Sequence, residues 1–117
     1  MTTLNLEWLK ALPGLLEAGE TVELVTVARA DGSTPREAGA AMLVGREITV
    51  DTIGGGHLEW QAIAQARRRL TTGLSRPEVV RYNLGARLGQ CCGGVVWLVF
   101  ETVPASERDA WAARRAS

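Results

Sequence analysis

The sequence predicts a small α/β domain in which one mixed β-sheet is flanked by helices and glycine-rich loops lie at the strand ends. Valine-rich runs of strand length recur along the chain, and two stretches carry apolar residues at helical spacing. Clusters of glycine separate several of these elements. The 117 residues, 46% hydrophobic and 22% charged, are typical of one globular domain.

The predicted helices begin with residues 4–18, where leucines recur at helical spacing. Pro13 and Gly14 interrupt this pattern, so we expect a broken helix or two short ones. A second helix follows residue 56 and ends near residue 73, and Ser106 is placed to cap a last short helix. The apolar stripe of the second helix consists of Leu58, Ala62, Ile63, Ala66 and Leu70.

Five strands are predicted from alternating or continuous apolar runs. They cover residues 21–30, 40–44, 46–53, 78–84 and 95–103. The last run is almost entirely apolar, as expected of a strand buried on both faces. We also expect Trp60 and Trp97 to lie in the core, and the three consecutive arginines at 67–69 to form a solvated helix face.

Composition excludes several classes of protein. The formal net charge is zero, so no long-range attraction to nucleic acid or to an anionic membrane is expected. No apolar run approaches the roughly 18 residues that span a bilayer, and the N-terminal sequence is unlike a secretory signal. Cys91 and Cys92 are adjacent and are the only cysteines, which does not suit a disulfide framework. These features predict a cytoplasmic protein.

A triple glycine at residues 54–56, in the segment TIGGGHLEW, lies between a predicted strand and a predicted helix. Unpaired N–H groups and the helix dipole at such a junction favour an anion such as phosphate. Glu59 stands where the third glycine of a dinucleotide-binding fingerprint would fall. The alternative is a tight turn without a ligand, with Glu59 favourable in the first helical turn.

Adjacent cysteines lie in a second glycine-rich segment, residues 84–94 (LGARLGQCCGG). Thiolates are soft donors that suit molybdenum, copper(I), zinc or sulfur transfer. A structural zinc site requires four ligands, and here Cys91, Cys92 and His57 are the only thiol and imidazole groups. The alternative is that both cysteines are small buried apolar residues.

A third segment, residues 32–39 (GSTPREAG), offers the hydroxyls of Ser33 and Thr34 and the planar guanidinium of Arg36. These groups suit a phosphate or an oxo group. An ordinary solvated loop is the alternative. His57, the only histidine, has no evident nucleophile or orienting carboxylate near it in the sequence, which favours a structural role.

In this order, the segments 32–44, 52–60 and 84–94 resemble the XdhC/CoxI family of molybdenum-enzyme accessory proteins. The sequence departs from the family pattern at Asp51, where members usually have glycine. Members also usually continue into a C-terminal Rossmann-like domain. We therefore expect residues 1–117 to form one XdhC/CoxI-like domain without that second domain.

The resemblance implies an accessory protein, and not an enzyme, that binds the molybdenum cofactor as molybdopterin or its dinucleotide form. Such a protein protects the cofactor and assists its sulfuration and its insertion into an apoenzyme. The residues expected to bind the cofactor are Ser33, Arg36, Gly54, Gly55, Gly56, Gln90, Cys91 and Cys92. Of these, the two cysteines are expected to face the molybdenum or to handle sulfur.

The partners that the resemblance implies are an apoenzyme of the xanthine dehydrogenase or carbon monoxide dehydrogenase type, a cysteine desulfurase, and further copies of the chain in a homodimer or larger homo-oligomer. Neither nucleic acid nor a membrane is expected. One alternative is a thiol-dependent enzyme with Cys91 or Cys92 as nucleophile and His57 as base. Another is an assembly module that binds no cofactor and docks through its terminal helices.

Overall fold

A five-stranded antiparallel sheet carries one α-helix on each face. The computed structural model describes residues 6–32, 34–73, 76–84 and 94–110. The elements in chain order are α1 (Glu7–Glu17), β1 (Val22–Asp31), β2 (Ala41–Val44), β3 (Thr49–Val50), α2 (Gly56–Thr72), β4 (Glu78–Asn83), β5 (Val95–Val103) and a short 3-10 turn (Ala105–Glu107). The predicted α/β class is therefore confirmed.

The strand order across the sheet is β3-β2-β1-β5-β4, and all of its described pairings are antiparallel. The long central strands β1 and β5 pair from Val22 with Val103 to Asp31 with Val95. The strand predicted at 46–53 covers only Thr49–Val50 in the structure. The residues between Gly45 and Thr49 form a tight turn and do not pair in the sheet. β3 and β4 form the two edges of the sheet.

Two apolar clusters lie on opposite faces of the sheet. On one face, α2 packs its apolar stripe against the central strands; the buried members include Leu58, Ala62, Ala66, Val25, Met42, Leu98 and Phe100. On the other face, α1 packs Leu12 and Leu16 against Val22, Leu24, Leu43 and Val103. Burial from both sides explains why the first four residues of β1 are apolar apart from Glu23 and why all of β2 is apolar.

Two predictions about the terminal helices are wrong. Pro13 does not break α1, which continues from Glu7 to Glu17 because the burial of Leu12 and Leu16 holds the helix on the sheet despite the hydrogen bond that proline cannot donate. Ser106 does not cap the last helix, because Pro104 is the N-cap residue of the 3-10 turn. Neither described α-helix is long and apolar enough to cross a membrane.

Neither of the two tryptophans assigned to the core is buried. Trp60 is 69% exposed, because it lies two residues from Leu58 and therefore on the opposite side of α2 from the buried stripe. Trp97 is half-buried on the sheet face opposite α2, where the guanidinium carbon of Arg29 lies 4.8 Å from the centre of its ring.

Arg69, predicted as part of a solvated face, is instead buried with a relative exposure of 1%. It lies on the inner stripe of α2, eleven residues after Leu58, and forms an ion pair with Glu23, which is fully buried. Its guanidinium also donates to Glu78 at 3.3 Å and to Thr102 at 3.2 Å, and Thr102 in turn donates to Glu23. This network fixes the C-terminal end of α2 to β1, β4 and β5.

Tyr82 lies on the α2 side of β4, close to the same charged groups. Burial raises the pKa of its phenol, while the positive charge of Arg68 acts in the opposite direction and Glu78 adds to the increase. The phenol is therefore neutral at physiological pH.

A β-bulge at Ala28 reverses the side-chain phase of β1. Val27 pairs with Leu98 and Arg29 pairs with Trp97, so one extra residue lies between them. Before the bulge, odd-numbered side chains of β1 face α2. After it, Ala30 packs toward the α2 cluster and Arg29 lies over Trp97 on the other face. The bulge keeps the charge of Arg29 out of the apolar core.

Candidate functional site

Described residues that border the candidate segments lie at one end of the sheet. Asp31, the last residue of β1, pairs with Val95, and Val95 also pairs with Asn83, the last residue of β4. The end of β1, the end of β4 and the start of β5 therefore lie next to one another. We call this edge the loop end of the sheet.

The triple-glycine turn lies at the same end. The Nη1 atom of Arg36 donates to the carbonyl oxygen of Thr52 at 3.2 Å, which joins the loop after β1 to the chain just before the glycines. The opposite end of α2 is held by Arg69 beside Glu23 and Thr102, at the far end of β1 and β5. The helix thus points its N-terminus toward the loop end.

Backbone conformation and close packing both require glycine at the first two positions of the turn. Gly54 has φ +78° and Gly55 has φ +60°, in the left-handed region that other residues rarely adopt. A Cβ atom on Gly55 would lie 2.6 Å from Cγ of Pro35. Gly56 differs, because a Cβ atom there would have no neighbouring atom within 4 Å.

The sequence analysis proposed that the backbone amides of the three glycines bind an anion, but one of these amides already donates a hydrogen bond within the turn. The N–H of Gly54 donates to Oγ1 of Thr52 at 2.9 Å, and the Thr52 hydroxyl donates to the carboxylate of Glu59. The N-cap residue of α2 is Gly55, with no side-chain cap. The amides of Gly55 and Gly56 are therefore better placed than that of Gly54 to receive a ligand, and Gly54 mainly shapes the turn.

Arg36 lies in a shallow cleft beside this turn. Thr34, Pro35, Arg36 and Glu37 line the cleft, whose volume is about 210 Å³. This volume is below the roughly 300–1,000 Å³ of a typical small-molecule pocket. Thr34 donates its hydroxyl to the carbonyl oxygen of Arg36 and holds the loop in place.

Asp51 departs from the family pattern without placing its charge at the anion site. Its φ is +69°, which explains why glycine suits the position. The carboxylate accepts a hydrogen bond from the backbone N–H of Trp8 at 2.8 Å, at the second residue of α1. Asp51 therefore caps α1 from outside the helix, since Leu6, the N-cap residue, provides no side-chain cap.

Two substitutions of Asp51 should separate the contribution of its capping hydrogen bond from the cost of its left-handed backbone conformation. We expect Asp51→Ala to lower the free energy of unfolding by about 1–2 kcal/mol, because alanine loses the cap and remains in the left-handed region. Asp51→Gly should cost less, since glycine loses only the cap. Chemical denaturation measures both changes, and an alanine variant as stable as the glycine variant would contradict the assigned strain.

His57 and Trp60 form an exposed aromatic pair on the first two turns of α2. Their ring centres are 6.3 Å apart with an interplanar angle of 21°. Stacking on an exposed indole gives the imidazole a neighbour that is neither a nucleophile nor an orienting carboxylate. The cysteines that a thiol-dependent enzyme would pair with His57 lie outside the described residues, so the general-base role stays a prediction.

Four predicted site residues lie outside the described residues: Ser33, Gln90, Cys91 and Cys92. The segment that contains the last three has defined ends, because the N–H of Leu84 donates to the carbonyl oxygen of Gly94 at 2.9 Å. Within residues 6–32, 34–73, 76–84 and 94–110, no cluster of three histidine, cysteine or acidic side chains could hold a metal ion.

Comparison with known proteins decides the family. The sequence model of the XdhC and CoxI family matches residues 15–83, which include β1 to β4 and the triple-glycine turn. This chain belongs to the XdhC and CoxI family. The predicted resemblance is thereby confirmed for more than half of the sequence. A comparison with curated proteins found no match.

A solved structure shares the fold of this XdhC and CoxI family member. The crystal structure of a xanthine dehydrogenase from Bacillus halodurans superimposes with a TM-score of 0.75 and 24% sequence identity. The match covers 93% of this chain and 33% of that chain, so the present sequence corresponds to about one third of the other protein. At this identity the likeness establishes the fold.

Proposed function

We propose that this chain binds the molybdenum cofactor in the cytoplasm and delivers it to an apoenzyme of the xanthine dehydrogenase or carbon monoxide dehydrogenase type. One observation carries the proposal: Pro35 and Arg36 pack on the triple-glycine turn, at the sheet end from which segment 85–93 also leaves. A ligand with a phosphate at one end and a soft metal at the other needs an oxyanion site beside a thiol site.

The phosphate end fits the residues at the N-terminus of α2. The amides of Gly55 and Gly56 begin a helix that has no side-chain cap, and the helix dipole favours an anion there. Arg36 uses Nη1 to hold Thr52 and retains further N–H groups for an oxyanion. The carboxylate of Glu59 accepts a hydrogen bond from the Thr52 hydroxyl, which reduces its electrostatic repulsion of a bound phosphate.

The remaining assignments rest on the chemistry of these residues and on the family resemblance. Gln90 would hydrogen-bond the pterin, Ser33 would assist Arg36, and Cys91 and Cys92 would face the metal. When bound, the cofactor supplies the molybdenum centre for the client enzyme, and this chain holds and shields it during sulfuration and transfer. A cysteine desulfurase would donate the sulfur, and the carrier would act as a homo-oligomer.

Removing the charge of Arg36 tests the phosphate assignment. We expect Arg36→Gln to weaken retention of the cofactor roughly 10- to 100-fold, because a charge-assisted hydrogen bond contributes roughly 1.5–3 kcal/mol. Arg46→Gln is a matched control, since Arg46 is exposed in the turn after β2. The cofactor is mixed anaerobically with each protein, and bound molybdenum and pterin are measured after gel filtration.

Two outcomes decide between the parts of the proposal. Equal retention by the Arg36→Gln and Arg46→Gln variants would contradict the phosphate site. A variant with both Cys91→Ser and Cys92→Ser should also retain less molybdenum, and unchanged retention would remove the cysteines from the site. Failure of every version to bind the cofactor would favour the assembly-module alternative.

A further inference from the structure

The aromatic pair of His57 and Trp60 has no part in the proposed phosphate site, although it lies on the same exposed surface. The exposed residues at this end of α2 are Gly55, Gly56, His57 and Trp60. Trp60 is 69% exposed, the largest value among the exposed large apolar side chains that the structure describes. An indole placed in solvent beside two free backbone amides is typical of a surface that binds a ring, because tryptophan offers a large rigid face.

Helix geometry brings the indole close to these amides. Trp60 follows Gly56 by four residues, so the two lie on the same face of α2, with about 5–6 Å between such positions. Side chains of a helix lean toward its N-terminus, so the Trp60 ring lies over the turn that contains Gly56. A Cβ atom on Gly56 would have no neighbouring atom within 4 Å, so the space beside the ring is open.

The two rings are arranged so that a third ring can stack with them. Their planes are inclined by only 21° and their centres are 6.3 Å apart, within the range of offset aromatic stacking. Within the described residues, the one recorded ring contact of Trp60 is that with His57. The aromatic pair therefore leaves aromatic surface available to a planar heterocycle.

The size of this surface favours a single small ring system over a protein. The exposed residues that follow Trp60 on α2 are Ala64 and Arg68, which do not extend the apolar patch. Two rings provide far less area than the roughly 800 Å² that each partner of a stable protein complex buries. One heterocycle attached to the phosphate at Gly55 and Gly56 would cover the pair.

Position identifies which ring of the ligand this is. The proposed function assigns the pterin to Gln90, in the segment between β4 and β5, which are strands of the sheet. Trp60 lies on the opposite side of α2 from the buried stripe that packs on the sheet. A ring on Trp60 is therefore attached on the other side of the phosphate from the pterin, where a dinucleotide form of the cofactor carries its nucleobase.

We infer that Trp60, together with His57, stacks the nucleobase of the dinucleotide form and so favours this form over molybdopterin. The inference rests on the proposed function, because it uses the phosphate site at Gly55 and Gly56. Stacking on an aromatic side chain tolerates different bases, since every base has a π face. Purine and pyrimidine dinucleotides should therefore both be accepted.

Nucleoside diphosphates and inorganic pyrophosphate test the stacking, because they share the diphosphate and differ in the base. By isothermal titration calorimetry, the unchanged chain should bind GDP and CDP roughly tenfold or more tightly than pyrophosphate. Trp60→Leu should remove this preference without weakening pyrophosphate binding, whereas Trp60→Phe should keep most of it. Ile48→Ala, which shortens another exposed apolar side chain in the turn after β2, is the control and should bind all three probes normally.

The cofactor itself distinguishes the base from the pterin. Trp60→Leu should retain molybdopterin as well as the unchanged chain does, and should retain the dinucleotide form roughly tenfold less. Equal loss of both forms would assign the aromatic pair to the pterin and overturn the inference.

The same titrations separate this inference from the proposed function. Pyrophosphate binding that depends on Arg36, with no preference for GDP or CDP, would overturn the role of Trp60 and leave the phosphate site supported. Absence of binding by pyrophosphate and by both nucleotides would overturn the phosphate site and the inference together.

Discussion

Replacing Arg69 by alanine is expected to lower the free energy of unfolding by about 3–5 kcal/mol, because it leaves the carboxylate of Glu23 buried without a partner. Domains of this size are stable by only about 5–15 kcal/mol, so the variant should be close to unfolding. Denaturant unfolding followed by circular dichroism measures the change.

The neighbouring arginine provides a control for this prediction. Arg68 is exposed, and the described hydrogen bonds of its side chain are to Gln65 in the same helix, so Arg68→Ala should change stability by less than about 0.5 kcal/mol. Replacing both partners, in Glu23→Leu with Arg69→Met, should recover most of the loss, since two apolar side chains need no compensation. Equal losses from Arg69→Ala and Arg68→Ala would contradict the buried pair.

Alanine at Gly55 is expected to destabilise the fold by about 2–3 kcal/mol. About 1 kcal/mol comes from the left-handed backbone conformation and the rest from the contact at 2.6 Å with Pro35. Thermal and chemical unfolding measure the loss. Because Pro35 must move to accommodate the new methyl group, the loop that carries Arg36 should also be displaced, and cofactor retention should fall.

The adjacent glycine is a control of identical chemistry. Gly56→Ala adds the same methyl group at the first residue of α2, where no atom lies within 4 Å and the backbone φ is not positive. It should be neutral or stabilise the helix by up to about 1 kcal/mol. If Gly55→Ala were as stable as Gly56→Ala, packing against Pro35 would not be the reason for glycine at position 55.

Periodicity and turn chemistry were sufficient to predict most of the sheet and the start and end of α2. They failed where a tertiary contact opposed the local preference. Pro13 remains in a helix because leucines on either side are buried, and Arg69 is buried because a strand 46 residues earlier provides Glu23. Two features of the sequence indicated the burial of Arg69: Glu23 interrupts an apolar strand, and Arg69 continues the spacing of the buried stripe of α2.

The candidate site was predictable in its parts but not in its arrangement. Glycine at 54 and 55 and the guanidinium of Arg36 were identified from local sequence, whereas the hydrogen bond that occupies the Gly54 amide depends on the side chain of Thr52. The capping role of Asp51 could not be predicted, because it joins a loop to a helix 43 residues away in sequence. Proximity of the loops depends on strand order, which no single segment specifies.

The extra residue at position 28 decides which side of the sheet receives the charge of Arg29. If β1 continued without a bulge, Ala28 would pair with Trp97 and Arg29 with Val96, so the Arg29 side chain would point toward the α2 core. The bulge absorbs one residue and leaves Arg29 beside Asp31 and over Trp97, on the opposite face. Deleting Ala28 would therefore remove the irregularity and keep the same strand pairs, so a chain shortened by this residue would still hold the charge of Arg29 outside the core.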